Sequence, residues 1–284
     1  MAKQIQINLA RSAGFCFGVR RAIRIAQDLA GRHTPIYMLG DLVHNETVIQ
    51  DLQQAGLRKI KRLQPATKRI LLLRAHGAPR AQVRRARRSG YRLVDATCPM
   101  VKEIHRIVRR MDRRGYRIIV LGDRQHDEVR GIVGQISRRA LVIEPSHEIP
   151  WQSISRLRRA ALVVQSTQHL ERVENMVRAL QKVIPQLVFF NTICNPTRLK
   201  QAEIKTLPLQ NDVMLIIGSR TSANTRRLYE ISRALNPRSY WIQTAEEIDR
   251  RWLVGQRSVG ITAGASTPPS TWQKVIAALR ADPS

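Results

Sequence analysis

Several kinds of residue and pattern are scarce in this chain, and each scarcity argues against a class of protein. Aromatics are 5% of its 284 residues, so its basic runs are not interleaved with the stacking rings that single-stranded nucleic acid uses. No 18 consecutive apolar residues occur, and no membrane span is expected. Cysteines number three, Cys16, Cys98 and Cys194. An odd, sparse count argues against a disulfide framework and leaves buried thiols, a reactive thiol or metal ligands. The opening MAKQIQINLA lacks the apolar core of a secretory signal and the amphipathic, Ser/Arg-rich character of a transit peptide. A cytoplasmic protein is expected.

Acidic residues are also few, 21 against 49 Lys and Arg, of which nine are Lys and 40 Arg, for a formal charge of +28. Such a charge attracts polyanions, acidic proteins and phosphorylated molecules alike. The basic runs, Arg84 to Arg88 and Arg106 to Arg114, lie at helical spacing between apolar residues. They read as solvated helix faces, and nucleic acid is not expected as a partner.

Short apolar runs alternate with amphipathic stretches along the chain, the pattern of α/β layers. Strands are expected at Gln4–Leu9, Ile36–Leu39, Ile70–Leu73, Arg92–Ala96, Arg117–Leu121, Ala161–Gln165, Leu187–Asn191, Val213–Ile217 and Ser258–Thr262. Helices are expected at Val19–Ala30, Val101–Arg113, Leu170–Val183 and Arg226–Leu235. Each cysteine sits between a strand and a helix, at intervals of 82 and 96 residues. A strand–Cys–helix unit repeated three times implies three similar α/β lobes with converging strand ends, where ligands bind in open α/β sheets. A ligand thiolate at a helix start is favoured by the dipole and free N–H groups. Zinc with three cysteines usually uses short C-x-x-C spacings, which are absent here. An iron–sulfur cluster accepts distant ligands, and three cysteines leave one iron open as a Lewis acid. Three unrelated buried thiols remain the other reading.

Other strand ends carry His44-Asn45, His76-Gly77, His126-Asp127-Glu128, Ser166-Thr167, Ser219 to Asn224 and Gly264 to Ser266. Ser/Asn/Gly clusters between strand and helix suit phosphate, although each alone is more often a helix cap. The three loop histidines complement a diphosphate. His126 and Glu128, two apart, form a candidate proton-delivery pair. His33, His105, His147 and His169 have no assigned role.

At these positions the chain resembles a known family, the 4-hydroxy-3-methylbut-2-enyl diphosphate reductases. Nine segments carry the resemblance in order: GFCFGVRRAI, VHN, AHGAP, DATCPMV, HDEVRG, QST, TIC, GSRTSANTRRL and TAGAST. It implies three small α/β lobes in a cloverleaf around a central 4Fe–4S cluster, with Cys16, Cys98 and Cys194 as ligands. The expected organisation is an N-terminal strand and first ligand loop (1–17), lobe 1 (18–97), lobe 2 (98–192) and lobe 3 with the C-terminal segment (193–284). It implies that His44, His76, His126, Thr167, Ser222, Ala223, Asn224 and Ser266 bind substrate. It also implies that Glu128, His126, Ser166 and Thr167 handle the proton. The implied reaction is reductive dehydroxylation of the allylic diphosphate to isopentenyl and dimethylallyl diphosphate, with ferredoxin or flavodoxin as donor, in a monomer or homodimer. The chain departs from the family at Ala223, where Ser is usual, at Ser166, where Thr is common, and at Asn195-Pro196. A three-Cys cluster dehydratase is the first alternative; a basic nucleic-acid-binding protein and a structural protein with three buried thiols rank below it.

Overall fold

The computed structural model describes residues 5–32, 35–66 and 69–281. Gln4 and His33 lie outside them. In chain order the elements are β1 (Gln6–Leu9), α1 (Phe17–Ala30), β2 (Ile36–Leu39), α2 (Glu46–Gln54), β3 (Leu57–Ile60), β4 (Ile70–Leu73), α3 (Arg80–Arg88), β5 (Arg92–Asp95), α4 (Pro99–Arg113), β6 (Arg117–Leu121), α5 (Asp127–Val133) and β7 (Leu141–Ile143). They continue with α6 (Trp151–Ile154), β8 (Arg159–Val164), α7 (Leu170–Gln181), β9 (Gln186–Phe189), α8 (Asn195–Glu203), β10 (Val213–Ile217), α9 (Ala223–Leu235), β11 (Ser239–Ile242), β12 (Ser258–Ala263) and α10 (Pro269–Arg280).

The α/β class expected from the sequence is what the chain adopts. Its strands form three parallel four-stranded sheets, ordered β1-β12-β10-β11, β3-β2-β4-β5 and β7-β6-β8-β9. The chain divides into two compact units. One comprises Met1–Val19, His44–Val48 and Asn195–Ser284, and carries the first sheet. The other comprises Arg20–Val43 and Ile49–Cys194, and carries the other two.

The three sheets share one plan. In the two sheets of the larger unit the first strand in sequence lies inside, flanked by the second and third, and the fourth forms an edge. The sheet of the smaller unit repeats this with β10, β11 and β12, and takes its fourth strand, β1, from the start of the chain. The strand that precedes each cysteine is therefore always an edge strand paired with one neighbour.

Alternation explains why the central strands are apolar throughout. Ile119 and Leu121 of β6 pack with Leu162 and Val164 of β8 against α7 on one face. Ile118 and Val120 pack with Ala161 and Val163 against α4 and α5 on the other. In the smaller unit Val213, Leu215 and Ile217 pack with α10, while Met214 and Ile216 meet α9. A parallel strand buried on both faces reads as a continuous apolar run for this reason. Among the described residues no helix is long and apolar enough to cross a membrane.

Candidate active site

All three cysteines are fixed by the same device. The Cys98 N–H donates to the Ala75 carbonyl at 2.9 Å, the Cys194 N–H to that of Ser166 at 3.1 Å, and the Cys16 N–H to that of Ala265 at 3.0 Å. Each acceptor stands two residues beyond the strand next to the cysteine's own, after Leu73, Val164 and Ala263. The loop is thus held by backbone, and each half-buried thiol is placed at a helix start. Cys98 is the N-cap of α4 with Pro99 at the first position, where the missing N–H costs nothing. At α1 the Cys16 Sγ accepts from the Val19 N–H at 3.5 Å, as a capping oxygen would.

In the larger unit the candidate residues form one connected group. His126 caps α5, its Nδ1 accepting the Glu128 N–H at 3.1 Å. That bond leaves Nε2 to carry the proton of the neutral ring. The Glu128 side chain is buried, and its carboxylate accepts the Ser166 N–H at 2.6 Å and the Ser166 hydroxyl at 2.8 Å. Ser166 in turn supplies the carbonyl that anchors Cys194. The His76 ring meets His126 edge to face, centroids 5.5 Å apart, and adjoins Ala75, the anchor of Cys98. Arg74 and Asp127 pair at 2.6 Å and tie the His76 loop to the start of α5. The Thr167 hydroxyl accepts from the buried Gln165 amide at 3.1 Å.

The smaller unit gathers the rest. Ser222 caps α9, its oxygen accepting the Thr225 N–H at 3.3 Å, so its hydroxyl proton can be given elsewhere. Ala223 and Asn224 follow in the first turn, where N–H groups lack helical partners. The Asn224 Nδ2 is buried with no hydrogen-bond partner among the described residues. A helix start with an orphaned amide donor is an anion site in waiting. The Ser266 hydroxyl donates to the His44 carbonyl at 2.8 Å, so its proton must turn away from that carbonyl to serve an anion.

Three further residues, not singled out in the sequence, support these loops. Buried Lys200 on α8 donates to the carbonyls of Ser12 and Ala263, while Glu203 one turn on accepts both Ser12 N–H and hydroxyl. Between them they clamp the loop that leads to Cys16. Their signal was a Lys and a Glu three apart on the helix directly after Cys194. Buried His105 lies against Gly77, whose φ of +77° and lack of a side chain let the ring in. A Cβ there would stand 2.6 Å from the ring.

The family model described as LytB protein matches residues 7–280. A protein of Pelobacter propionicus named 4-hydroxy-3-methylbut-2-enyl diphosphate reductase is 38% identical over 93% of this chain and 94% of its own length. One of the same name from Aquifex aeolicus is 37% identical over 93% of this chain and 92% of its own. Among solved structures, that of (E)-4-hydroxy-3-methyl-but-2-enyl diphosphate reductase, terminal enzyme of the non-mevalonate pathway, matches with a TM-score of 0.72 at 34% identity. It covers 98% of this chain and 100% of that one. The E-1-hydroxy-2-methyl-but-2-enyl-4-diphosphate reductase of Plasmodium falciparum matches with a TM-score of 0.89 at 25% identity, covering 96% of this chain and 87% of that one.

Proposed function

The chain belongs to the LytB protein family, and from that premise we propose that it reductively removes the hydroxyl group of 4-hydroxy-3-methylbut-2-enyl diphosphate. Two electrons and two protons convert this substrate to water and isopentenyl or dimethylallyl diphosphate, the last step of the non-mevalonate route. The observation that carries the reading is the buried Glu128 carboxylate, held by both donors of Ser166, the residue that anchors Cys194. A proton source and a metal-ligand candidate are thereby tied to one residue, Ser166.

Three cysteines at helix starts, each fixed through its own N–H, suit a 4Fe–4S cluster with one iron left without a protein ligand. Among the described residues no three His, Cys, Asp or Glu side chains gather as round a single ion. When bound, the cluster would supply electrons and a Lewis-acidic iron for the substrate oxygen. Cys16, Cys98 and Cys194 are its ligands in this proposal.

The protein's own groups bind the anion and move the proton. Ser222, the N–H of Ala223, the Asn224 amide and Ser266 take the diphosphate, helped by His44, His76 and His126. Ala223 offers only its backbone where a second hydroxyl is usual. Glu128 passes a proton to the departing hydroxyl, with Ser166 orienting its carboxylate and Thr167 and the His126 Nε2 beside that path. The reducing cytoplasm would keep the three thiols available as ligands. An acidic ferredoxin or flavodoxin is the proposed donor, drawn by the +28 charge.

The test is anaerobic purification, then oxidation of reduced methyl viologen with and without 4-hydroxy-3-methylbut-2-enyl diphosphate. Substrate-dependent oxidation that falls at least a hundredfold in Glu128→Gln is expected. A brown, iron-loaded protein that leaves viologen reduced sinks the reductase reading.

A further inference from the structure

An arginine-walled cleft lies between α3 and α4 of the larger unit. It consists of two adjoining cavities of about 620 and 600 Å³ that share Arg80, Arg84, Arg109 and Gln135. Each is within the usual range for a small-molecule site. Arg87 adds to the α3 wall, and Lys102, Arg106 and Arg113 to the α4 wall. Lys102 is paired with Asp95 at 2.6 Å and Arg106 with Glu103. Arg80, Arg84, Arg87, Arg109 and Arg113 make no ion pair among the described residues.

The cleft is organised from beneath. Buried Gln135 accepts from the Arg109 guanidinium at 2.8 Å and donates to the carbonyls of Ala78 at 3.0 Å and Gly131 at 2.8 Å. Arg109 is therefore held in place among like charges. Burial first, then Arg80, Arg106 and Arg113, keep its guanidinium below the ordinary value. Two carboxylates, Asp112 in the first cavity and Asp95 in the second, stand against seven basic side chains in the lining; the excess of positive charge in a concave site calls for a multiply charged anion, and the planar donor forks of arginine match phosphoryl oxygens.

The lining narrows the ligand further. Among the described residues no Phe, Tyr or Trp lines either cavity, and the one ring in the lining, His105, is buried with little face to offer a nucleobase. The second cavity places Leu73, Val83 and Leu93 beside the cationic rim. We infer that this cleft binds an organic diphosphate carrying an apolar chain, at a site separate from the residues assigned to the reaction. The diphosphate lies among Arg80, Arg84 and Arg109, and the chain lies over Leu73, Val83 and Leu93. Gln135 holds the carbonyl of Ala78, two residues from His76, which gives an occupant of the cleft a short path to that loop.

The binding part of the inference stands apart from the proposed reaction and is tested separately. Farnesyl diphosphate, inorganic diphosphate and a duplex DNA would be titrated calorimetrically into the anaerobic, cluster-loaded protein. The same would be done with Arg84→Ala/Arg109→Ala, the conservative Arg84→Lys/Arg109→Lys, and Glu128→Gln. The expected result is farnesyl diphosphate binding at least tenfold tighter than inorganic diphosphate. It weakens at least tenfold in the Ala pair, less in the Lys pair, and not in Glu128→Gln. Viologen oxidation with substrate at saturation should be unchanged in the Ala pair, which also confirms that the variant is folded. Equal binding of the two diphosphates, unchanged binding in the Ala pair, or DNA outcompeting farnesyl diphosphate for the cleft would each overturn it.

Discussion

His105 makes the stability of the protein depend on pH in a way that can be worked from the structure. It is 7% exposed, wedged against Gly77, with Nε2 lacking a hydrogen-bond partner among the described residues. Burial, reinforced by the nearby Arg109 and opposed by Asp95, pushes its pKa from 6.5 down to about 4. The folded state thus keeps the ring neutral where the unfolded chain already binds a proton. Its contribution is fully present above pH 6.5 and is lost as pH falls towards 4. At 1.36 kcal/mol per unit the complete loss is about 3 kcal/mol, and between pH 7.5 and 5.5 it is about 1.3 kcal/mol. For a chain of this size that lowers the melting temperature by roughly 3–5 °C. The assay is thermal unfolding followed by tryptophan fluorescence at pH 7.5, 6.5 and 5.5, in wild type and His105→Leu. Acid effects shared by the two proteins cancel in the comparison, so the variant should lose roughly 3–5 °C less than wild type on going to pH 5.5. Parallel pH profiles would refute the argument, because they would mean that His105 is not held neutral by its surroundings.

Three more changes probe the supports of the site. Gly77→Ala places a Cβ 2.6 Å from the His105 ring at a φ of +77°; it should cost about 2 kcal/mol or more, read as a lower melting temperature, and raise KM through the neighbouring His76. Lys200→Met removes the ammonium bound to the Ser12 and Ala263 carbonyls. A loss of about 2–3 kcal/mol is expected, together with lower iron content after reconstitution, and Lys200→Arg should restore most of both. Ser166→Ala deletes a 2.8 Å bond to a buried carboxylate, worth about 1.5–3 kcal/mol. Its turnover should fall well below that of Ser166→Thr, which keeps the hydroxyl; equal rates in the two would remove Ser166 from the proton path.

What the sequence showed and hid follows from where each element lies. Ile36–Leu39, Ile70–Leu73, Arg117–Leu121 and Val213–Ile217 were legible to the residue because inner strands covered on both faces must be apolar throughout. Three strands were missed, Leu57–Ile60, Leu141–Ile143 and Ser239–Ile242. Each is the edge of its sheet away from the cysteine strand, and runs as short as LVI or as polar as LRKI carry no periodic signal. Helices α1, α4 and α9 begin two or three residues before the expected starts, because their caps are the candidate site residues themselves or lie beside them. Glu128 and the cysteines were legible from the strand–polar–helix pattern. Lys200 and His105 were not: on a helix they read as surface residues, and only carbonyls and glycines brought from distant segments give them buried places. Most arginines do lie on exposed faces, but those of α3 and α4 face one another across a cleft, which no single helix pattern reveals.

The repeated sheet plan explains why one acid, and not three, is available for the proposed proton transfer. Five residues past the inner strands β2, β6 and β10 stand His44, His126 and Ser222; three residues past β4, β8 and β12 stand His76, Thr167 and Ser266. The fold thus offers the same two loop positions three times, and the residue type at each decides what it can do. Seven residues past β2, β6 and β10 the chain places Glu46, Glu128 and Asn224. The position that anchors each cysteine through its carbonyl is Ala75, Ser166 or Ala265. Because the anchor uses only the backbone, the side chain there is free to vary, and a hydroxyl occurs only at Ser166. Glu128 is accordingly the one of the two carboxylates with an anchor hydroxyl to hold it, and it is buried. Glu46 is exposed and accepts instead from Ser219 and Thr221 at 2.9 and 3.4 Å. Asn224 cannot ionise and keeps an amide donor unpartnered among the described residues, which suits an anion. One backbone device used three times therefore holds three thiols alike, while single side-chain differences divide the loops between the proposed proton transfer and the proposed diphosphate binding.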